Sequence, residues 1–376
     1  MRITRTRSYQ LAKNMVKQIV PGQHAWHGPL DDSDAVAAVE AVQMEWPDGV
    51  RKPLVAVVRD PDVYPYWTKY VHFLEANAIP FEVFDIHRSG WLDRAARFDA
   101  VVWRPMSFPS EVEECRRKVF ALERELGTLC YPSFPESMLY EDKLLQYELL
   151  RRRGLPAIET FVSHSQEEAL DYVAACDYPV VWKVGCGSGS LGVELVRDAH
   201  AARRLVRRVF SFSGRRTYWP YLGQKDYVYL QRLEPNRGWD VRVIVIGDAV
   251  FGYYRDVPAG EFRASGMGLV RRGAPPEAAM LIARRVARAF DLPQVAVDLL
   301  AHPADDHLSI IEISSFFQAA TPMQLRVEGV PGMFLFSDDD SYRFVPAVVW
   351  PQELALRLVL ERRWLEAGRG REEGNT

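Results

Sequence analysis

The sequence predicts an α/β protein: a doubly wound parallel sheet near the N-terminus, followed by a half richer in β-structure, of α+β character. Three observations predict this. Between Lys52 and Glu136, short apolar runs alternate with helical stretches, the pattern of parallel strands joined by crossover helices. In the second half the apolar runs lengthen, and Gly247–Asp248 between two of them is a hairpin signal. A chain of 376 residues exceeds what one core usually organises, so two or three domains are expected.

The elements follow in order. Residues 1–51 carry weak patterning and read as a partly ordered lead-in. PLVAVVRD (Pro53–Asp60) is a short apolar run ending in turn residues, hence a buried strand. YWTKYVHFLEANAI is helical, and FEVFDI and FDAVVWRP are strands. SEVEECRRKVFALEREL is an amphipathic helix with Ser110 as its expected cap, and GTLCYPS is a strand and turn. These elements place the parallel-sheet domain over residues 52–136. SMLYEDKLLQYELLRRRG is a helix stopped at Gly154. AIETFVSHSQEEALDYVAAC gives a strand, then a helix capped at Ser163 or Ser165. YPVVWKVG and GVELVRD are strands on either side of a glycine loop, and HAARRLVRRVFSF is a helix. DYVYLQRLE, WDVRVIVIGDAVFGYYRDV, VAVDLLAH and LSIIEISSF are strands, with a helix in PPEAAMLIARRVARAF. PQELALRLVLERRWLEAG is a terminal amphipathic helix followed by a charged tail. The later segments are thus 137–225, 226–345, and a helix and tail over 346–376.

Composition excludes several classes. Hydrophobic content of 48% with 26% charge is that of an ordinary soluble globular chain. A net charge of −3 makes no electrostatic case for nucleic acid. No apolar run reaches the roughly 18 residues of a membrane span, so no membrane insertion is expected. The basic N-terminus lacks the apolar core of a secretory signal. Cys115, Cys130, Cys176 and Cys186 show no C-x-x-C spacing, which favours free thiols in a reducing, cytoplasmic setting.

The glycine loop carries G-x-G-x-x-G at Gly187, Gly189 and Gly192. A dinucleotide fingerprint needs a helix after the glycines, but VELV is strand-like. A Walker loop needs G-K-[ST], which is absent. A protein kinase has its lysine on a strand after the loop, whereas Lys183 precedes it. What remains is strand, lysine, glycine-rich hairpin, strand. Such a hairpin can fold over phosphates, with backbone N–H groups as donors and Lys183 as the cation. The alternative is a tight turn with no ligand. Farther on, Asp298 and Glu312 each interrupt an apolar strand. A lone buried acid is costly unless paired or bound to a cation. Two on neighbouring strands suggest a shared Mg²⁺ site; salt bridges to arginines are the alternative.

At these motifs the sequence resembles the ATP-grasp superfamily, on the side of the ribosomal-protein glutamate ligases and D-alanine–D-alanine ligases. The resemblance runs from about Tyr140 to Pro322 and implies a two-subdomain ATP-grasp fold behind the parallel-sheet domain. It implies that Lys143 and Lys183 are the two nucleotide lysines, and that Gly187, Ser188, Gly189 and Ser190 form the mobile phosphate loop. Gln231, Arg232 and Leu233 would cradle adenine, and Asp240 would hold the ribose. Arg242, Arg263 and Lys183 would serve catalysis at the phosphate or reacting carboxylate. Asp298 and Glu312 would take the Mg²⁺ positions, with Glu312 bridging two ions and Mn²⁺ as an alternative metal.

Two features depart from the family pattern. Ser314 stands where an asparagine commonly ligates, and the segment after GEFRAS lacks the usual asparagine and Arg-Gly-Gly. The implied activity is a carboxylate–amine ligase working through an acyl phosphate on small-molecule or carrier-linked substrates. A free amino acid, a protein side chain or a sugar acid all remain open. The alternatives are an ATP-grasp kinase with a hydroxyl acceptor and a noncatalytic ATP-binding module. Nothing fixes the oligomeric state; a dimer is compatible. In the first domain Asp60, Tyr64, Trp67 and Arg104 follow strand ends at the carboxyl edge of the sheet. They are candidates to meet the substrate, the other reading being that they cap and pack a helix. Cys186 has no histidine partner in view and reads as a small filler.

Overall fold

A computed structural model describes residues 31–187, 192–219, 221–264, 269–305 and 307–366. They form two compact units, residues 31–158 with 234–366, and residues 159–233.

The larger unit begins with α1 (Ser33–Ala37) and then builds the parallel sheet from β1 (Val55–Val57), β2 (Phe81–Val83), β3 (Ala100–Val102) and β4 (Leu129–Tyr131). The order is β2-β1-β3-β4, all parallel. β1 and β3 are wholly buried, which is why they read as unbroken Val/Ala runs. The crossovers carry α2 (Trp67–Ala76), α3 (Trp91–Ala95) and α4 (Pro109–Ala121). α4 starts two residues earlier than expected: Phe108 is its cap and Ser110 lies inside. Proline's fixed φ suits the first helical position, so Pro109 sets the start. Part of the lead-in is tied down by polar contacts. Val42 N donates to Glu353 Oε2 at 2.8 Å, and Met44 N donates to Asn77 Oδ1 at 2.7 Å.

α5 (Phe134–Leu139) and α6 (Lys143–Arg152) follow. Asp142 caps α6 by accepting from Leu145 N at 3.0 Å, and Gly154 ends it at φ 64°. The second sheet holds β11 (Trp239–Ile246), β12 (Ala249–Asp256), β13 (Val270–Arg272), β14 (Gln294–Ala301), β15 (Leu308–Ser314), β16 (Leu325–Val327), β17 (Val330–Phe336) and β18 (Tyr342–Pro346). Its order is β15-β14-β11-β12-β17-β16, with β13 on β12 and β18 on β17, every pair antiparallel. Gly247–Asp248 turns the β11–β12 hairpin as the sequence predicts. The amphipathic helix expected after proline, Glu277–Phe290, covers β11 and β14 through Ala279, Ala283 and Val286.

The smaller unit contains β5 (Thr160–Ser163), β6 (Val180–Trp182), β7 (Glu194–Val196) and β10 (Val228–Arg232) in the order β5-β10-β6-β7. A short hairpin, β8 (Arg215–Arg216) with β9 (Gly223–Gln224), precedes β10. Helices Gln166–Ala175, capped by Ser165, and Ala199–Val209 close a separate core around Val173, Trp182, Val206 and Leu230. The units divide after Leu233, not at 225, because β10 pairs with β5 and β6. α6 belongs to the larger unit rather than to the segment it was expected to open.

Candidate active site

In the smaller unit, β6 and β7 pair from Val180↔Val196 to Trp182↔Glu194, so the glycine loop does close a hairpin. Lys183 leaves the end of β6. Its N–H donates to Tyr229 O at 3.0 Å, and its buried ammonium lies 5.9 Å from the Tyr229 ring centre. Val184 N donates to Gly192 O at 3.3 Å and Gly185 N to Tyr227 Oη at 2.8 Å. Gly192 has φ +78°, and a Cβ there would sit 2.3 Å from Val184 Cγ2. At least this glycine is demanded by packing. Gly187 is buried, while Ser188, Gly189 and Ser190 lie outside the described residues. Gln231 is buried and donates to Thr160 Oγ1 at 3.3 Å, Arg232 pairs with Glu159 at 3.0 Å, and Leu233 ends the unit, half-buried.

In the larger unit, antiparallel register sets a polar row across one face of the second sheet. Glu312 on β15 stands opposite Asp298 on β14, Asp298 opposite Arg242 on β11, and Arg242 opposite Tyr253 on β12. Cross-strand partners share a face, so these side chains meet. Arg242 Nε donates to Asp298 Oδ1 at 2.7 Å and Nη2 to Oδ2 at 2.8 Å. Arg255 Nη2 adds a contact to Asp298 Oδ2 at 2.8 Å. Arg255 also grips Asp240, at 2.6 Å from Nε and 2.9 Å from Nη2. Lys143 Nζ, from the first turn of α6, lies 3.1 Å from Glu312 Oε2. Three carboxylates thus face three cations.

The two aspartates respond differently. Burial pulls Asp298 upward, but Arg242 and Arg255 outweigh it and hold the carboxyl below its usual range. Burial raises Asp240 to about 6; Arg255 opposes this, while the nearby Asp298 charge reinforces it. Asp240, expected at a ribose, is here locked in a bidentate pair.

Do these residues fit a divalent cation? The donors are hard oxygens, and two carboxylates face each other in register, as Mg²⁺ requires. Ser314 is partly buried; its hydroxyl donates to Phe316 O and keeps lone pairs for a cation. Arginine contacts take three of the about four acceptor positions on Asp298. A cation would use the fourth or displace a guanidinium. Among the described residues no group of three or more His, Cys, Asp or Glu could hold a metal, so phosphate and water must complete any such shell. Arg263 pairs with Glu261 at 3.0 Å, and its buried Nε has no hydrogen-bond partner, a donor left for an anion.

The candidates in the parallel-sheet domain make the following contacts within the protein. Asp60 is fully buried and caps α2, accepting from Tyr66 N at 2.8 Å and Trp67 N at 3.1 Å. Trp67 is buried beneath Arg59. For both, capping and packing describe what the side chains do. Arg104 forms a buried pair with Asp62 at 2.7 Å, and Gln318 Nε2 donates to Asp62 Oδ1 at 3.3 Å. Tyr66 Oη donates to Phe317 O at 2.5 Å. These contacts brace the segment that leaves β15 just after Ser314. Tyr64 stays exposed.

Sequence reasoning missed Arg255 and the Lys143–Glu312 pair. Counting outward from the Gly247–Asp248 turn would have found Arg255 opposite Asp240. No local pattern announces a contact between α6 and β15.

A family model described as the RimK-like ATP-grasp domain matches residues 140–330. A glutamate–LysW ligase of Sulfurisphaera tokodaii is 25% identical over 239 residues, covering 61% of this chain and 79% of that protein. A probable alpha-L-glutamate ligase of Chromohalobacter salexigens is 31% identical over 166 residues, 42% of this chain and half the length of that relative. Among solved structures, a D-cycloserine synthetase superposes with a TM-score of 0.52 at 18% identity, over 82% of this chain and 99% of that one. At that identity the likeness speaks for the fold alone.

Proposed function

The chain belongs to the RimK-like ATP-grasp family, and from that premise we propose that it is an ATP-dependent carboxylate–amine ligase. The observation that carries the reading is the row Glu312, Asp298, Arg242 on one sheet face, with Lys143 against Glu312. It concentrates hard oxygen donors and cations where phosphoryl transfer needs charge offset.

A substrate carboxylate oxygen attacks the γ-phosphorus of ATP, the bond to the β-phosphate bridging oxygen breaks, and ADP departs. The amine nitrogen then attacks the acyl carbon, phosphate leaves, and the nitrogen loses a proton to give the amide. Lys183 and the glycine hairpin hold phosphates; Gln231, Arg232 and Leu233 form the adenine edge. Arg242 and the orphan Nε of Arg263 face developing negative charge. Mg²⁺, or Mn²⁺ in its place, held by Asp298, Glu312 and Ser314, would add positive charge at the phosphates. Because relatives are named as glutamate ligases, glutamate and a protein-borne partner are the first substrates to test. The same names speak against a kinase.

An ADP-release screen crossing carboxylates with amines tests the reading. A ligase releases ADP and phosphate only when both substrates are present. A stable phosphorylated product without amine would instead support the kinase. Lys183→Ala should weaken ATP binding by roughly tenfold or more while the protein stays folded; unchanged affinity by calorimetry would remove Lys183 from the site.

A further inference from the structure

Glu312 faces Asp298 because β15 carries one extra residue. The ladder with β14 runs regularly from Leu300↔Ser309 to Leu299↔Ile310; the register then shifts and Asp298 meets Glu312, leaving Ile311 as the bulged residue. Had the ladder run on unbroken, Asp298 would stand opposite Ile311 and Glu312 opposite Val297, whose side chain points to the other face. The bulge is therefore what brings the two acids onto one face, and bulges beside active sites re-aim side chains in this way.

β15 is also the terminal strand of its sheet, so the backbone groups on its outer side need other partners. α6 and the chain leaving it supply them on both sides of the bulge. Before it, Ile310 N donates to Pro156 O at 2.7 Å and Ile310 O accepts from Ile158 N at 3.1 Å. After it, Ile313 N donates to Gln146 Oε1 at 3.4 Å. Gln146 is buried on α6, one turn after Lys143. Its Nε2 donates to Leu139 O at 2.7 Å, which orients the amide with Oε1 toward β15. One helix turn thus holds two successive residues of the strand: Lys143 takes the Glu312 carboxylate and Gln146 the Ile313 backbone. Filling a core position needs no amide, and leucine or methionine would do so without burying two polar groups. Resting on the ligase reading above, we propose that Gln146 is a positioning residue. It pins the bulged strand to α6 and so sets Glu312 between Asp298 and Lys143, where the carboxylate can serve a cation at the phosphates. It acts through Glu312.

Gln146→Met tests this in the full chain, since methionine fills similar space without the amide. Three quantities are read: exchange of the Ile313 amide by NMR of isoleucine-labelled protein, the Mg²⁺ concentration that gives half-maximal ADP binding by calorimetry, and the melting temperature. In the parent the Ile313 amide is protected. In the variant it exchanges roughly tenfold faster and the Mg²⁺ midpoint rises about tenfold, while ADP binding at saturating Mg²⁺ returns to the parent level. A residue that merely filled the core would lower the melting temperature and leave the Mg²⁺ midpoint in place; that result overturns the proposal. So does ADP binding by the parent that ignores Mg²⁺. So does a parent Ile313 amide that exchanges as fast as an exposed one, a measurement that stands even where the variant fails to fold. A raised Mg²⁺ midpoint in the variant, with no amine-dependent ADP release from any carboxylate by the parent, would keep the positioning role and sink the ligase reading. Amine-dependent ADP release by the parent, with an unmoved Mg²⁺ midpoint in the variant, does the reverse.

Discussion

A single carboxylate can be read by what surrounds it. Glu312 is partly exposed, faces Asp298 and holds the buried Lys143. Glu312→Gln keeps the shape but removes the charge that offsets Lys143 and any cation. The expected outcome is loss of Mg²⁺-dependent ADP release with the fold retained. Near-normal turnover at the same Mg²⁺ concentration would exclude a two-carboxylate metal site; a large fall in melting temperature would make Glu312 a structural partner of Lys143. Ser314→Asn should keep activity or tighten Mg²⁺, since an amide can donate to Phe316 O and still offer its oxygen. Asp60 yields a pH prediction. Burial raises its carboxyl from 3.8 to about 6, against the opposing pull of Arg104 and two backbone donors. The native state therefore holds a proton that the unfolded chain has already lost in that window. Its contribution to stability is full below about pH 4 and falls by up to about 3 kcal/mol as pH rises through 6. Asp60→Asn keeps the acceptor without titrating. Its stability relative to the parent should increase between about pH 4 and pH 7 by denaturant unfolding; a constant difference would contradict the raised value.

At the scale of elements, the β6–β7 hairpin depends on Gly192. A Cβ there meets the branched Val184 side chain at 2.3 Å and the backbone is left-handed. Gly192→Ala should cost on the order of 1–3 kcal/mol and speed hydrogen exchange across Val180–Val196. Gly49, also left-handed at φ +78° but with nothing within 4 Å, is the control, and its alanine variant should cost less. Equal costs would mean that strain alone, not the Val184 contact, requires the glycine.

The whole molecule contains two cores of unequal size. Residues 159–233 pack around Val173, Trp182 and Leu230, while the larger unit buries both of its sheets. A small core buries less apolar surface per residue and resists unfolding less. Urea unfolding followed by hydrogen exchange should show residues 159–233 losing protection first, and ATP should delay that step. Coincident loss across both units would mean that they unfold as one. No helix among the described residues is long and apolar enough to cross a membrane.

The sequence by itself determined the strands and helices whose signals are local: the parallel Val/Ala strands, the Gly247–Asp248 turn, the stop at Gly154 and the lysine–glycine hairpin. It also marked Asp298 and Glu312, because an acid inside an apolar strand is costly wherever the strand lies. Only the tertiary structure decided how these residues are paired. Arg242 and Arg255 reach Asp298 through strand register, and Lys143 reaches Glu312 from a helix far away in the chain. Arg272 reaches the Gln324 carbonyl only because β13 and the segment before β16 come together. Periodicity records which face of an element is buried. It does not record which other element lies against that face, and the charge on a site depends on that second fact.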